Sequence, residues 1–112
     1  MPLNLSCSTE QKWHVKLAPV DALGKPAPVD GVPVWSVKSG NGTVAADADG
    51  MGAFLLTPDT FDATAADTIF QVDADADLGS GVTDISDTIT LTATPPQATS
   101  LGLAADPAPV AK

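Results

Sequence analysis

The chain has 112 residues with 44% hydrophobic content, long enough for one packed domain and too short for two. Its formal net charge is −9 and it contains no Arg; residues 39–111 carry eleven Asp and no basic side chain. Such a surface repels phosphate backbones and anionic lipid, which argues against nucleic-acid and membrane partners.

Twelve Thr, ten Pro and nine Gly interrupt short apolar alternations, the composition of an all-β protein. No stretch sustains helical spacing for about ten residues, so no helix is expected.

Leu3–Ser8 reads as a first strand, with Leu3, Leu5 and Cys7 on one face and Pro2 suited to an edge. Cys7 is the single cysteine, which excludes an internal disulfide, and its place in the alternation suits a small buried hydrophobe. A nucleophilic thiol would need His14 as its base, since no other histidine exists. In the second strand Trp13, Val15 and Leu17 alternate with Lys12, His14 and Lys16, so His14 is expected on a solvated face. The opening MPLNLSCSTEQK lacks a basic stretch followed by an apolar one. No export signal is therefore expected, which is consistent with synthesis in a host cytoplasm.

Pro19–Gly31 is a Pro- and Gly-rich loop without a core of its own. Val32–Lys38 is a third strand, with Trp35 and Val37 facing the core. SGNG at 39–42 turns the chain into Thr43–Ala46, and DADG at 47–50 supplies a second turn through its Asp-Gly pair. Met51–Leu56 follows, with Phe54 and Leu56 expected inside, and Thr57–Asp67 is a polar connection.

Ile69–Thr94 is the clearest hairpin, turning at LGSG. Phe70, Val72, Ala74 and Ala76 share one face, opposite Gln71, Asp73, Asp75 and Asp77. On the return limb Ile89, Leu91 and Ala93 face inward while Thr88, Thr90, Thr92 and Thr94 face out. Strict alternation would also put Asp87 inside, where an unpaired carboxylate is unfavourable. A bulge near Ser86–Asp87 that turns it outward is therefore expected. About seven strands at spacings near ten residues favour a sandwich over an up-and-down barrel.

Asp73, Asp75, Asp77 and Asp84 imitate four positions of a calcium loop, but Leu78 stands where that loop needs Gly. Successive carboxylates on one strand face lie ~6.6 Å apart, too far for three to grip one ion, so a solvated acidic face is expected. A looser site from Asp77 and Asp84 across the hairpin stays open. No Ser/His/Asp order, paired Glu, phosphate-binding Gly loop or CxxC spacing occurs. No catalytic, cofactor-binding or metal residue, no cofactor and no enzymatic activity is therefore expected. With no Tyr and two Trp, little aromatic surface is on offer for sugars.

Pro95–Lys112, PPQATSLGLAADPAPVAK, reads as an extended arm. Leu101 and Leu103 alternate within it and could add a strand to a neighbour.

Taken in order, VPVWSVKSGNGTVAADADGMGAFLL and TIFQVDADADLGSGVTDISDTITLT resemble bacterial immunoglobulin-like domains of the Big-2 and invasin-like kind. The matching features are Trp35, Asp49-Gly50, the run Phe70–Ala74 and Ile89–Thr94, within residues 3–94. The resemblance implies an immunoglobulin-like sandwich over 1–94, without a disulfide, followed by the arm at 95–112. It implies display, spacing or adhesion rather than catalysis. Single domains of this kind occur in structural proteins of tailed bacteriophages. The resulting expectation is an acidic virion protein, on the head as a decoration or on the tail surface, contacting the particle or other copies through Leu101 and Leu103. A bacterial surface or secreted adhesion or spacer module, assisted by calcium, is the alternative.

Overall fold

The computed structural model describes residues 3–79 and 81–112. Seven strands form: β1 (Leu3–Ser8), β2 (Lys12–Lys16), β3 (Asp30–Ser39), β4 (Thr43–Ala46), β5 (Gly52–Leu56), β6 (Asp67–Asp75) and β7 (Asp84–Thr94). Among the described residues the only helical turn is a single 3-10 turn at Ala63–Ala65. Asp62 caps that turn. Its carboxyl accepts from the Thr64 hydroxyl and, second, from the Thr64 backbone N–H, which hold it below the usual carboxylate range.

One sheet has the order β1-β7-β6-β3 and the other β2-β5-β4. All named pairings are antiparallel except β1 with β7, which run parallel in register from Leu3 opposite Ile89 to Ser8 opposite Thr94. The core lies between the sheets. Phe70, Ile89 and Leu91 of the first meet Ala53 and Leu55 of the second, and Leu5, Cys7, Val15, Trp35 and Val44 pack around them. The alternating hairpin reads as expected here: Phe70, Val72, Ile89, Leu91 and Ala93 are buried. Pro2 and the Ser80 of the LGSG turn lie outside the described residues.

Several expectations need correction. In β5 the buried residues are Ala53 and Leu55, both wholly inaccessible, while Phe54 and Leu56 face outward. A one-residue change of parity moves every side chain of a strand to the other face. Both parities of this strand are apolar, so its sequence does not choose; β2 and β4 on either side do. Val37 is exposed and Trp35 half-buried, because β3 is an edge strand rather than a central one. The Trp35 indole instead donates to the Gly50 carbonyl at 2.8 Å. Gly50, in the turn after β4, has φ 71°, and a Cβ there would collide with the Val32 side chain. That turn therefore requires its glycine.

No bulge occurs at Ser86–Asp87. The β6–β7 register is continuous, with Val72 opposite Asp87 and Ala74 opposite Ile85. Asp87 points to the inner side and is nevertheless exposed, as are Ile85 and Ala76. The reason is strand length. β6 and β7 have nine and eleven residues, whereas β2 and β5 have five each. The longer sheet overhangs the shorter, and its inner face near the start of β7 remains uncovered. The register irregularities fall in β3 instead, between Asp30 and Val34 and between Val37 and Ser39.

The chain measures 82 × 26 × 23 Å with a radius of gyration of 20.6 Å, against about 13 Å for a compact domain of this length. β7, the longest strand, spans only ~34 Å. The remaining length comes from residues 95–112, which are exposed throughout and outside any strand.

Candidate functional site

The overhang creates a cavity of about 360 Å³ at one pole of the molecule. Its floor is the inner face of β6 and β7, from Val72, Ala74 and Ile85; its opposite wall is the chain leaving β2, Lys16–Pro19, with Val29 from just before β3. On β6 the lining residues alternate, Val72 and Ala74, as one strand face requires. On β7 three consecutive residues contribute, Ile85, Ser86 and Asp87. Neighbouring side chains point to opposite faces, so the groove wraps around the edge of β7. β1 reaches only to the level of Ile89. Among the described residues, no strand flanks Asp84–Ser86 on the side away from β6. The groove is mostly apolar, with the Lys16 side chain and the Asp87 carboxylate as its charged groups.

Asp87 accepts a hydrogen bond from the Thr88 backbone N–H at 2.8 Å. Beside the groove, Pro19–Gly31 folds into a small projection of its own. Asp21 organises it, accepting backbone N–H groups of Leu23 and Lys25 at 2.8 and 3.1 Å. Val20 bridges Pro26, and Leu23 at the tip is 81% exposed.

A second cluster lies on the outer face of the three-stranded sheet. His14 Nε2 meets Asp47 Oδ2 at 2.8 Å, and the His14 ring is tilted against Phe54 with centroids 4.6 Å apart. Lys12 Nζ stands 4.3 Å from the centre of the same ring. Phe54, left outside by the parity of β5, is thus partly shielded by a cation and an imidazole. Gly52 permits this: a Cβ there would lie 2.5 Å from Asp47 Oδ2.

The structure separates Cys7 from His14. Cys7 packs against the core while His14 is engaged outside with Asp47. Burial pushes the Cys7 thiol up, partly offset by a hydrogen bond from Thr57. A thiol held in its neutral form is a poor nucleophile. The same Thr57 hydroxyl lies 2.9 Å from the Ser8 carbonyl and 3.1 Å from that of Gln11, tying β5 to the β1–β2 turn.

Three of the four hairpin aspartates, Asp73, Asp75 and Asp77, are occupied with local structure. Asp75 Oδ1 accepts the backbone N–H groups of Asp77 and Thr83 at 2.9 and 2.8 Å, Asp77 Oδ1 accepts from Gly79 at 2.7 Å, and Asp73 accepts from Gln71 Nε2 at 2.9 Å. Asp84 sits opposite Asp75, not Asp77. Among the described residues no group of three or more His, Cys, Asp or Glu side chains is arranged to hold a metal ion.

Leu101 and Leu103 are each 96% exposed. The sequence patterns singled them out, but they did not single out the groove. Leu17, Val29 and Ile85 come from separate segments, and only the difference in strand lengths brings them to one pole. Comparison with family models, characterised proteins and solved structures finds no match to this chain.

Proposed function

We propose that this chain is a non-catalytic structural module: an immunoglobulin-like sandwich attached by its arm to a larger assembly, the surface of a tailed-bacteriophage particle. The strand partition supports the sandwich reading. β2-β5-β4 and β3-β6-β7 correspond to the second, fifth and fourth and the third, sixth and seventh strands of an immunoglobulin sheet pair. β1 departs from the constant-domain arrangement by joining β7.

The observation that carries the attachment is the arm. Eighteen residues leave the end of β7, all exposed, with two fully presented leucines. Ordering such a segment opposes binding by about 1–2 kcal/mol per residue. Attachment is therefore favoured where many copies bind together, as on a symmetric shell. The particle setting rests on the family resemblance of residues 3–94. Phage particles assembled with the full chain should contain it after purification, as read by mass spectrometry. A version lacking residues 95–112 should fold and be missing from them. Truncated protein retained on particles would refute attachment by the arm, and intact protein never found on particles would refute the particle setting.

A further inference from the structure

We propose that the groove at the start of β7 receives the Leu101–Leu103 segment of a second copy, so that the chains associate head to tail. The inference shares with the preceding reading only the arm as the attaching segment.

Three observations select this occupant. The first is reach. The arm leaves at Thr94, the pole opposite Ile85, and nine residue steps along β7 separate them, ~30 Å. Leu101 lies seven steps beyond Thr94, ~24 Å fully extended, so it cannot return to its own groove. Leu103 would need a straight retreat with no length left for the turn. A second molecule offers its groove without that constraint.

The second is main-chain chemistry. The segment 97–106 contains no proline, whereas Pro95, Pro96 and Pro107 bound it. Every residue of that window keeps its N–H, so it can pair with a strand edge. The edge of β7 at Asp84–Ser86 is flanked by no strand among the described residues, and the groove wraps around it. Leu101 and Leu103, two residues apart, would then point together toward Ile85, Ala74 and Leu17. Gly102 stands at φ 62° in the free arm, and glycine passes to an extended φ at little steric penalty.

The third is charge. Asp106 follows Leu103 by three residues, ~10 Å, and Lys16 is on the groove wall while Asp87 is on its floor. This orients the arm with Asp106 toward Lys16.

Because the arm and groove are different surfaces at opposite poles, the contact is heterologous and propagates into open chains or rings. A contact of one short segment falls among weak, transient interfaces.

Sedimentation velocity of the full chain tests this between about 20 μM and about 1 mM, the range of such weak contacts. The intact protein should rise from 11.3 kDa to species of several copies. Leu101→Asp with Leu103→Asp, or Ile85→Lys alone, should remain at the single-chain mass. Mixing those two variants should restore association but stop at dimers, since one groove and one arm remain. Lys16→Glu, on an exposed side chain, should weaken association several-fold with unchanged melting temperature. An intact chain that stays monomeric at about 1 mM, variants that associate like it, or a mixture that stays monomeric would overturn the proposal. Particle attachment by a chain that never self-associates would sink this inference alone. Self-association without attachment would sink only the particle reading.

Discussion

At the residue scale, Phe70 and Phe54 are the same side chain in opposite surroundings. Phe70 is wholly buried between the sheets, and Phe54 lies on the outer face under Lys12 and His14. Phe70→Ala should lower stability by about 3–5 kcal/mol. Phe54→Ala should lower it far less, in denaturant unfolding followed by Trp fluorescence. Equal losses would contradict the parity of β5. Cys7 carries a pH dependence of defined sign. Burial raises its pKa, so above the ordinary thiol range the unfolded chain releases a proton that the folded chain keeps. Stability from this group therefore falls as pH rises through the unfolded pKa, and levels off above the folded one. Unfolding midpoints compared at about pH 7 and about pH 10 should show this component, and Cys7→Ala should remove it.

At the element scale, the β6–β7 hairpin continues past its last paired residues through Asp75. Its Oδ1 holds both Asp77 and Thr83, and the Ala76 N–H reaches the Thr83 carbonyl at 2.7 Å. Asp75→Asn retains an oxygen acceptor and should keep the hairpin end ordered. Asp75→Ala should accelerate amide exchange at Asp77 and Thr83 while leaving Phe70 and Leu91 protected, as local opening predicts. With Asp75 engaged in this way, calcium should bind no tighter than about millimolar; a calorimetric affinity in the micromolar range would contradict that account. The strand pattern of this hairpin was legible over Phe70–Asp75 and Thr88–Thr94, where the two faces differ in polarity at each step, but not at Asp87, a carboxylate on the apolar face that no bulge turns outward. β5 was not, because GAFLL is apolar at both parities.

At the scale of the whole molecule, the elongation is a statement about the arm. Removing residues 95–112 should reduce the radius of gyration measured by X-ray scattering from near 20.6 Å toward about 12 Å for the remaining chain. The unfolding midpoint should stay unchanged, since the arm is exposed along its length. A truncated chain that melts earlier would mean that the arm packs on its own domain. The uncovered pole belongs to the same scale. A bulge at Asp87 is the expectation from alternation, and the continuous register shows another solution: the opposing sheet stops short, so Asp87 stays exposed without leaving the inner face.

The all-β class, the strands and their order along the chain, the β6–β7 hairpin and the exposed arm follow from the sequence alone, because alternation, Asp-Gly turns and prolines act over a few neighbouring residues. The parity of β5, the edge position of β3, the separation of Cys7 from His14 and the groove were decided by tertiary structure. Each depends on which strands become neighbours and how far they overlap, and neither is encoded within any one strand. Leu17, Val29 and Ile85 meet only because a five-residue strand faces an eleven-residue one.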